Sequence, residues 1–383
     1  MTLALMCASM ALTSCFKDEP LNAECDIEQA YIHVDNPSAM FFSENDTLQN
    51  VLYTENEINF DVRKETDLTA LAPRFVTTEG ATVQPASGSV QDFSRGPVVY
   101  TVTSQDGKWS RKYSVKFNIV TRTVTDSLRY DFKDYALNEA TQQYYEWTET
   151  AADGTRTLNF WSTGNGGFAI CRGSYEPDQY PTIPLPGEGV CGTTAVKLTT
   201  SDTGPLGAIK NMRIAAGNLF IGKFDPQTAL HPSKTMEATM FGRPTDVKPL
   251  TLCGYYKYKP GAKFQNVKGK EVKDRIDKGS IYAVMYRNHD ADGKDIVLHG
   301  DNVLTSDMIV GKAVLENVET TDEWIKFDVP FVFSEEINED LLANRGYSLA
   351  VVFSSSEDGA KFEGAVGSTL LISKVRVACA KTE

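Results

Sequence analysis

Through most of this chain apolar residues recur at every second position, in short runs broken by turn residues, and little of the sequence repeats every three to four. A period of two puts successive side chains on opposite faces of an extended strand, so the pattern predicts half-buried β-strands and excludes a helical bundle. Ile58-Asn59-Phe60-Asp61-Val62 is one such run. Further on, Val98, Tyr100 and Val102 share a face and Asp106-Gly107 supplies a turn. Tyr113, Val115, Phe117 and Ile119 then return with Ser114, Lys116 and Asn118 outward. That is the terminal hairpin of a small sandwich, expected over residues 28–122. Polar Thr121 to Leu128 reads as a joint. Beyond it, Ile325, Phe327, Val329, Phe331 and Phe333 alternate with Trp324, Lys326 and Asp328; Leu349, Val351 and Phe353 form a second inward row, and Leu371, Ser373, Val375 and Val377 a third. Residues 129–383 fit one larger sandwich whose two sheets bury these rows against each other, most simply a jelly roll. The clearest expected helix is a short one around Glu336 to Ala343.

The chain has 383 residues, enough for two domains, and carries 38 basic against 51 acidic side chains for a net charge of −13. Nucleic acid is excluded as a partner, because phosphate binding draws on clustered Lys and Arg, and no such run exists. Met1 to Ser14 is apolar and rich in small residues, too short to cross a ~30 Å hydrocarbon core as a helix, and reads as the core of a secretory signal peptide. Leu12-Thr13-Ser14-Cys15 resembles a bacterial lipobox, which implies cleavage before Cys15 and lipidation of its thiol, with residues 15–27 as a tether. Phe16-Lys17-Asp18-Glu19 is similar to the Lys-acid-acid export signal of Bacteroidetes lipoproteins. Lipid chains contribute about 0.8 kcal/mol per buried CH₂, so a multiply acylated Cys15 holds a soluble body on the outer membrane without a spanning segment. Asp46-Thr47-Leu48 and Asp126-Ser127-Leu128 resemble O-glycosylation acceptors of the same bacteria.

Two family resemblances follow from particular segments. YTVTSQDGKWSRKYSVKF, from Tyr100 to Phe117, resembles the last two strands of Ig-like domains in Bacteroidetes surface lipoproteins, which implies a spacer. The region from Tyr130 to Val377 resembles the PCMD family, the putative carbohydrate metabolism domain. The carrying segments are FWSTGNGGF (Phe160 to Phe168), GTTAVKLTT (Gly192 to Thr200), GNLFIGKF (Gly217 to Phe224), FGRPTDVKPLTLCGYYKYKPG (Phe241 to Gly261) and FSSSEDGAKFEGAVGSTLLISKVRV (Phe353 to Val377). The expected fold class is therefore all-β, an Ig-like sandwich followed by a jelly roll akin to carbohydrate-binding modules. The expected partner is a polysaccharide or other glycan, beside other glycan-uptake proteins. A glycoside hydrolase on the same fold and an adhesive surface protein are the alternatives. Ser373 stands where the family commonly carries Asp, at a place where related modules hold a structural calcium.

Sugars present C–H faces and hydroxyl rims, so a saccharide site needs exposed rings beside hydrogen-bonding groups. Between Tyr144 and Tyr180 the candidates are Trp161, Asn165 in the Gly164-Asn165-Gly166-Gly167 turn, and Tyr175 and Tyr180 in a proline-rich loop. Trp161 fits a core position equally well. In Gly254 to Pro260 a regular strand would put Tyr256 and Tyr258 on one face and Tyr255 and Lys257 on the other, one row being core. Tyr256 is taken as the candidate, together with Trp324 opposite the Ile325-Phe327-Val329 row. Hydrolysis requires two carboxyls flanking the scissile bond. Glu146, Glu237 and Glu363 lie near the family segments, but no pair stands out among 51 acids.

Other motifs fail on context. Gly187-Glu188-Gly189-Val190-Cys191-Gly192 matches a dinucleotide fingerprint but follows a proline-rich loop instead of a strand. Asp290-Ala291-Asp292-Gly293-Lys294-Asp295 has its glycine in the wrong place for an EF-hand and reads as a hairpin turn. The four histidines lack ligand spacing, so zinc is not expected; the expected cofactor is none, with a structural calcium as the alternative. Cys171 and Cys191 bracket the proline-rich loop as a candidate disulfide, against the alternative of free thiols.

Overall fold

The structure, a computed structural model, describes residues 21–121, 123–150, 154, 156–173, 175–229, 231 and 233–380. The segment expected as a signal peptide, Cys15 and the charged residues Lys17 to Glu19 lie outside the described residues. The chain divides into two compact units. One takes the chain up to His33 with Leu48–Ile58 and Leu68–Lys116, the other Val34–Thr47, Asn59–Asp67 and the chain from Phe117. No described helix is long and apolar enough to cross a membrane.

The N-terminal strands form a three-stranded sheet with Ile27–Tyr31 between Leu48–Asn50 and Arg74–Thr77. A four-stranded sheet has the order Glu57–Arg63, Ser110–Val120, Val98–Thr103, Thr82–Gln84. The predicted hairpin pairs Tyr100 with Tyr113 and Val98 with Val115. Tyr100, Val102, Tyr113, Val115 and Phe117 are buried, while Ile119 at the strand's end is 40% exposed. At the turn, Gly107 has φ +69°, a left-handed backbone that glycine adopts without steric penalty.

The larger unit holds two extended sheets. The first runs Val332–Phe333, Ile309–Val314, Ser280–Arg287, Tyr347–Ser354, Asn218–Phe224, Arg156–Ser162, Tyr145–Thr150, Tyr135–Leu137, with two short strands paired onto it. The second runs Thr182–Leu185, Ala195–Thr199, Thr369–Cys379, Pro249–Lys259, Thr321–Pro330, and Ser127–Tyr130 also pairs with Thr369–Cys379. Leu219, Ile221, Ala283, Met285, Leu349, Val351 and Phe353 of the first sheet form one core with Val196, Leu198, Leu252, Tyr256, Tyr258, Phe327, Leu370 and Ile372 of the second. Burial of an aliphatic or aromatic side chain is worth roughly 1.5–3 kcal/mol, so this shared layer is the main force holding the sheets together. The first sheet is covered on its other face too, where Phe220, Phe241, Tyr282, Val284, Tyr286 and Val352 make a second core. Its central Tyr347–Ser354 strand is buried from Tyr347 to Phe353.

Candidate functional site

Most of the rings expected to stand in solvent are inside. Trp161 is 1% exposed, with its ring edge-on to Tyr130 and Phe132 at centroid distances of 5.0 and 5.3 Å. Tyr180 packs on Tyr144 and Phe168 in a satellite core. Asn165 is fully buried, and its amide donates to the Thr182 carbonyl (2.8 Å) while its side-chain oxygen accepts from the Thr182 N–H (3.1 Å). Such paired bonds copy a strand ladder, so this amide serves the fold. The Gly164–Gly167 turn is in fact the entry to a helix, Asn165–Arg172. A Cβ on Gly166 would lie 2.9 Å from Pro226, and one on Gly167 would lie 3.2 Å from the Phe224 ring, so the glycines let this helix approach its neighbours closely. Tyr256 is 2% exposed and points into the shared core, its hydroxyl accepting the Glu319 N–H at 3.1 Å. Four candidates are thus corrected to core positions. Tyr175 is half-buried, edge-on to Phe168, with the Arg172 guanidinium 5.3 Å from its ring centre.

The parity that buries Tyr256 carries its neighbours outward. In the Pro249–Lys259 strand, Leu252, Tyr256 and Tyr258 face the core, so Cys253, Tyr255, Lys257 and Lys259 take the opposite face. Register extends this face into four cross-strand rows. Lys257 lies beside Leu371, which pairs with Lys197; Tyr255 lies between Lys326 and Ser373; Cys253 lies between Asp328 and Arg376; and Lys259 pairs with Thr369. Trp324, next to inward Ile325, joins the Lys257 row, with the Lys257 ammonium 5.2 Å from its ring centre. Trp324, Tyr255, Lys257, Leu371 and Lys197 are all half-buried, their edges open to solvent. Lys326 and Asp328 are paired at 2.5 Å. The lysine's hydrogen bond holds the Asp328 carboxyl below its ordinary range, and the aspartate raises Lys326 in return. Of the sequence candidates, only Trp324 stands here. Tyr255 and Lys257 were legible as one of two alternating rows, and what sequence lacked was the parity of Leu252.

Two flat rings flanked by ammonium groups can take the C–H face of a pyranose and hydrogen-bond its rim. Toward the Thr182–Leu185 edge this face is closed: Ile183, Ala195 and Ser373 are buried. The Ser373 hydroxyl accepts the Val190 N–H at 3.2 Å and lies 3.1 Å from the Thr193 hydroxyl, fastening the 189–193 loop. No group of three or more His, Cys, Asp or Glu that could hold a metal occurs among the described residues. Asp290 caps its own hairpin turn, its carboxylate accepting the Asp292 and Lys294 N–H groups at 2.9 Å. Cys171 and Cys191 are free thiols, the first half-buried and the second exposed, so the candidate bridge is not formed.

Among the acids, Glu146 accepts the Asn138 amide (2.7 Å) and Glu363 the Val267 N–H (3.3 Å). The carboxyl that stands apart is Glu149, which sequence reasoning passed over. Burial pushes it up to about 7, Asp131 and Asp134 add to the rise, and the Trp161 indole N–H, donating at 3.0 Å, opposes it. A carboxyl half protonated near neutrality can act as a proton donor.

The family model described as "Putative carbohydrate metabolism domain" matches residues 131–378. A second model, "SGBP, N-terminal", matches residues 39–117. A crystal structure from Bacteroides thetaiotaomicron named a putative glycoside hydrolase superposes with a TM-score of 0.80 at 36% identity, covering 96% of this chain and 100% of the other. Another from Bacteroides vulgatus, also named a putative glycoside hydrolase, gives 0.60 at 35% identity over 68% of this chain and 100% of the other. No curated protein matches. With nearly two thirds of its length under one family model and a full-length relative sharing its fold, the chain belongs to the putative carbohydrate metabolism domain family.

Proposed function

We propose that the protein is a surface lipoprotein that binds a glycan on the outward face of its six-stranded sheet. The observation that carries the reading is Trp324, half-open on that face beneath Lys257 and one row from Tyr255, in a domain whose family is carbohydrate-related. In this reading Cys15 carries lipid that anchors the chain at the outer membrane, and the N-terminal sandwich, matched by the SGBP model, is an Ig-like spacer that lifts the site toward other glycan-uptake proteins. A panel of soluble polysaccharides, scored by affinity electrophoresis with the purified protein, tests it. Trp324→Ala is expected to weaken binding of any retained polymer by at least about tenfold, ~1.4 kcal/mol. Unchanged mobility of the variant in every retaining gel would refute the assignment of this face.

Glycoside hydrolysis is a second reading, supported by the printed names of the two structural relatives and by Glu149 with its raised pKa. Product analysis on each bound polymer separates the two: turnover lost in Glu149→Gln supports hydrolysis, and binding without products supports the first. Neither binding nor turnover would move the weight to an adhesive role.

A further inference from the structure

We infer that the outward face of the six-stranded sheet selects anionic saccharides, those bearing carboxylate or sulfate groups. This rests on the reading of that face as the glycan site. The rows described above place Lys197, Lys257, Lys259, Lys326 and Arg376 on one side of the sheet, and Arg129 joins them by pairing with Arg376. The carboxylates near these cations include Asp328, already paired with Lys326, Asp126, which acts on Arg376, and Asp322, two positions before Trp324 in the same strand. Lys197, Lys257 and Lys259 form no ion pair among the described residues. In a chain with a net charge of −13 this is a local reversal of sign, and a field of that kind raises the concentration of anions at the surface.

The contact at Trp324 adds a reason specific to stacking. A pyranose can lie on that ring only after the Lys257 ammonium, 5.2 Å from its centre, moves aside. A neutral sugar takes the ring and offers the displaced ammonium only hydroxyl partners. A uronic acid or sulfated sugar offers it a carboxylate or sulfate, and charge-assisted hydrogen bonds are roughly twice as strong as neutral ones. The ring and the cation therefore cease to compete when the ligand carries both an apolar face and a negative charge.

The test uses matched probes on the full chain: polygalacturonate against its fully methyl-esterified form, and dextran sulfate against dextran, each titrated calorimetrically at 50 and 300 mM NaCl. At least one anionic polymer is expected to bind ten or more times tighter than its neutral counterpart, and to weaken at the higher salt. Lys257→Gln should cost about three- to fivefold, as for a partly exposed ion pair. Lys268→Gln with Lys270→Gln, altering exposed cations of the turn between Gln265 and Glu271, outside the rows of that face, should change nothing. Equal loss in the turn variant would overturn the inference as general attraction of a polyanion. A neutral polymer bound as tightly as its anionic form, with binding lost in Trp324→Ala, would overturn the anionic selection and leave the glycan site standing. Binding that ignores Trp324→Ala would remove both.

Discussion

Replacing Asp277 with alanine is expected to destabilise the larger unit by about 3–5 kcal/mol. Asp277 is 2% exposed and forms no ion pair among the described residues. One carboxylate oxygen accepts from the Ser356 hydroxyl (2.6 Å), the Ser368 hydroxyl (2.6 Å) and the Ala365 N–H (2.7 Å), and the other accepts from the Lys278 N–H (2.9 Å). Hydrogen bonds to a charged group are worth about 1.5–3 kcal/mol each, but not every donor is stranded by the substitution. Ser356 lies 2.6 Å from the Thr200 hydroxyl and can turn toward it. The Ala365 N–H cannot turn, so its full desolvation cost of about 1–3 kcal/mol remains, and loss at Ser368 and Lys278 supplies the rest. The assay is guanidinium unfolding followed by tryptophan fluorescence, since buried Trp147 and Trp161 both report on this unit. For a slope near 5 kcal/mol/M the midpoint should fall by about 0.6–1 M. A shift below about 0.2 M would refute the idea that this carboxylate ties the 355–368 segment to the sheets.

Two further outcomes follow from ionisation and thiol placement. Glu149 has a folded pKa near 7 against an ordinary value of 4.5, so the folded state holds its proton over that interval while the unfolded state releases it; stability is full below about pH 4.5 and falls as pH rises to about 7. Glu149→Gln should therefore gain on the order of 2–3 kcal/mol on the parent between pH 5 and pH 8 in paired unfolding curves, and an identical difference at both pH values would contradict the burial argument. Iodoacetamide without reductant should label exposed Cys191 first, while Cys253 and Cys379, whose thiols burial pushes up, the latter to about 11, stay protected until unfolding. A native mass that fails to increase at Cys191 would count against the free thiol.

Legibility from sequence followed the number of covered faces. In the N-terminal hairpin one face is core, so alternation identified Tyr100, Val102, Tyr113 and Val115 directly. The Tyr347–Ser354 strand is covered on both sides, and there the row Leu349, Val351 and Phe353 is buried no more than Val352 and Ala350 between them. For the Pro249–Lys259 strand, alternation separated Tyr255 from Tyr256 but could not say which faced the core, because both residues are aromatic and both rows carry polar atoms. Burial of Tyr256 is settled by its cross-strand partners Ile325 and Ile372, contacts between segments far apart in sequence. The Asn165–Arg172 helix escaped notice for a local reason: two glycines near its start lower helix propensity by about 1 kcal/mol each, and only close packing on Phe224 and Pro226 compensates. The expected helix near Glu336 is shorter than drawn, Glu339–Ala343, because the Asn338 side chain caps it by accepting the Leu341 N–H at 3.0 Å.

The Thr369–Cys379 strand has a bearing on how the larger unit comes into being. It joins Ala195–Thr199 and Ser127–Tyr130 on one flank to Pro249–Lys259 on the other, yet it is translated after all of them. Until the ribosome delivers it, the earlier strands have a gap where their common neighbour belongs, and closure must span a long loop of chain. A polypeptide built this way can complete its six-stranded sheet only once its last strand has emerged, so the order of synthesis sets the order of assembly.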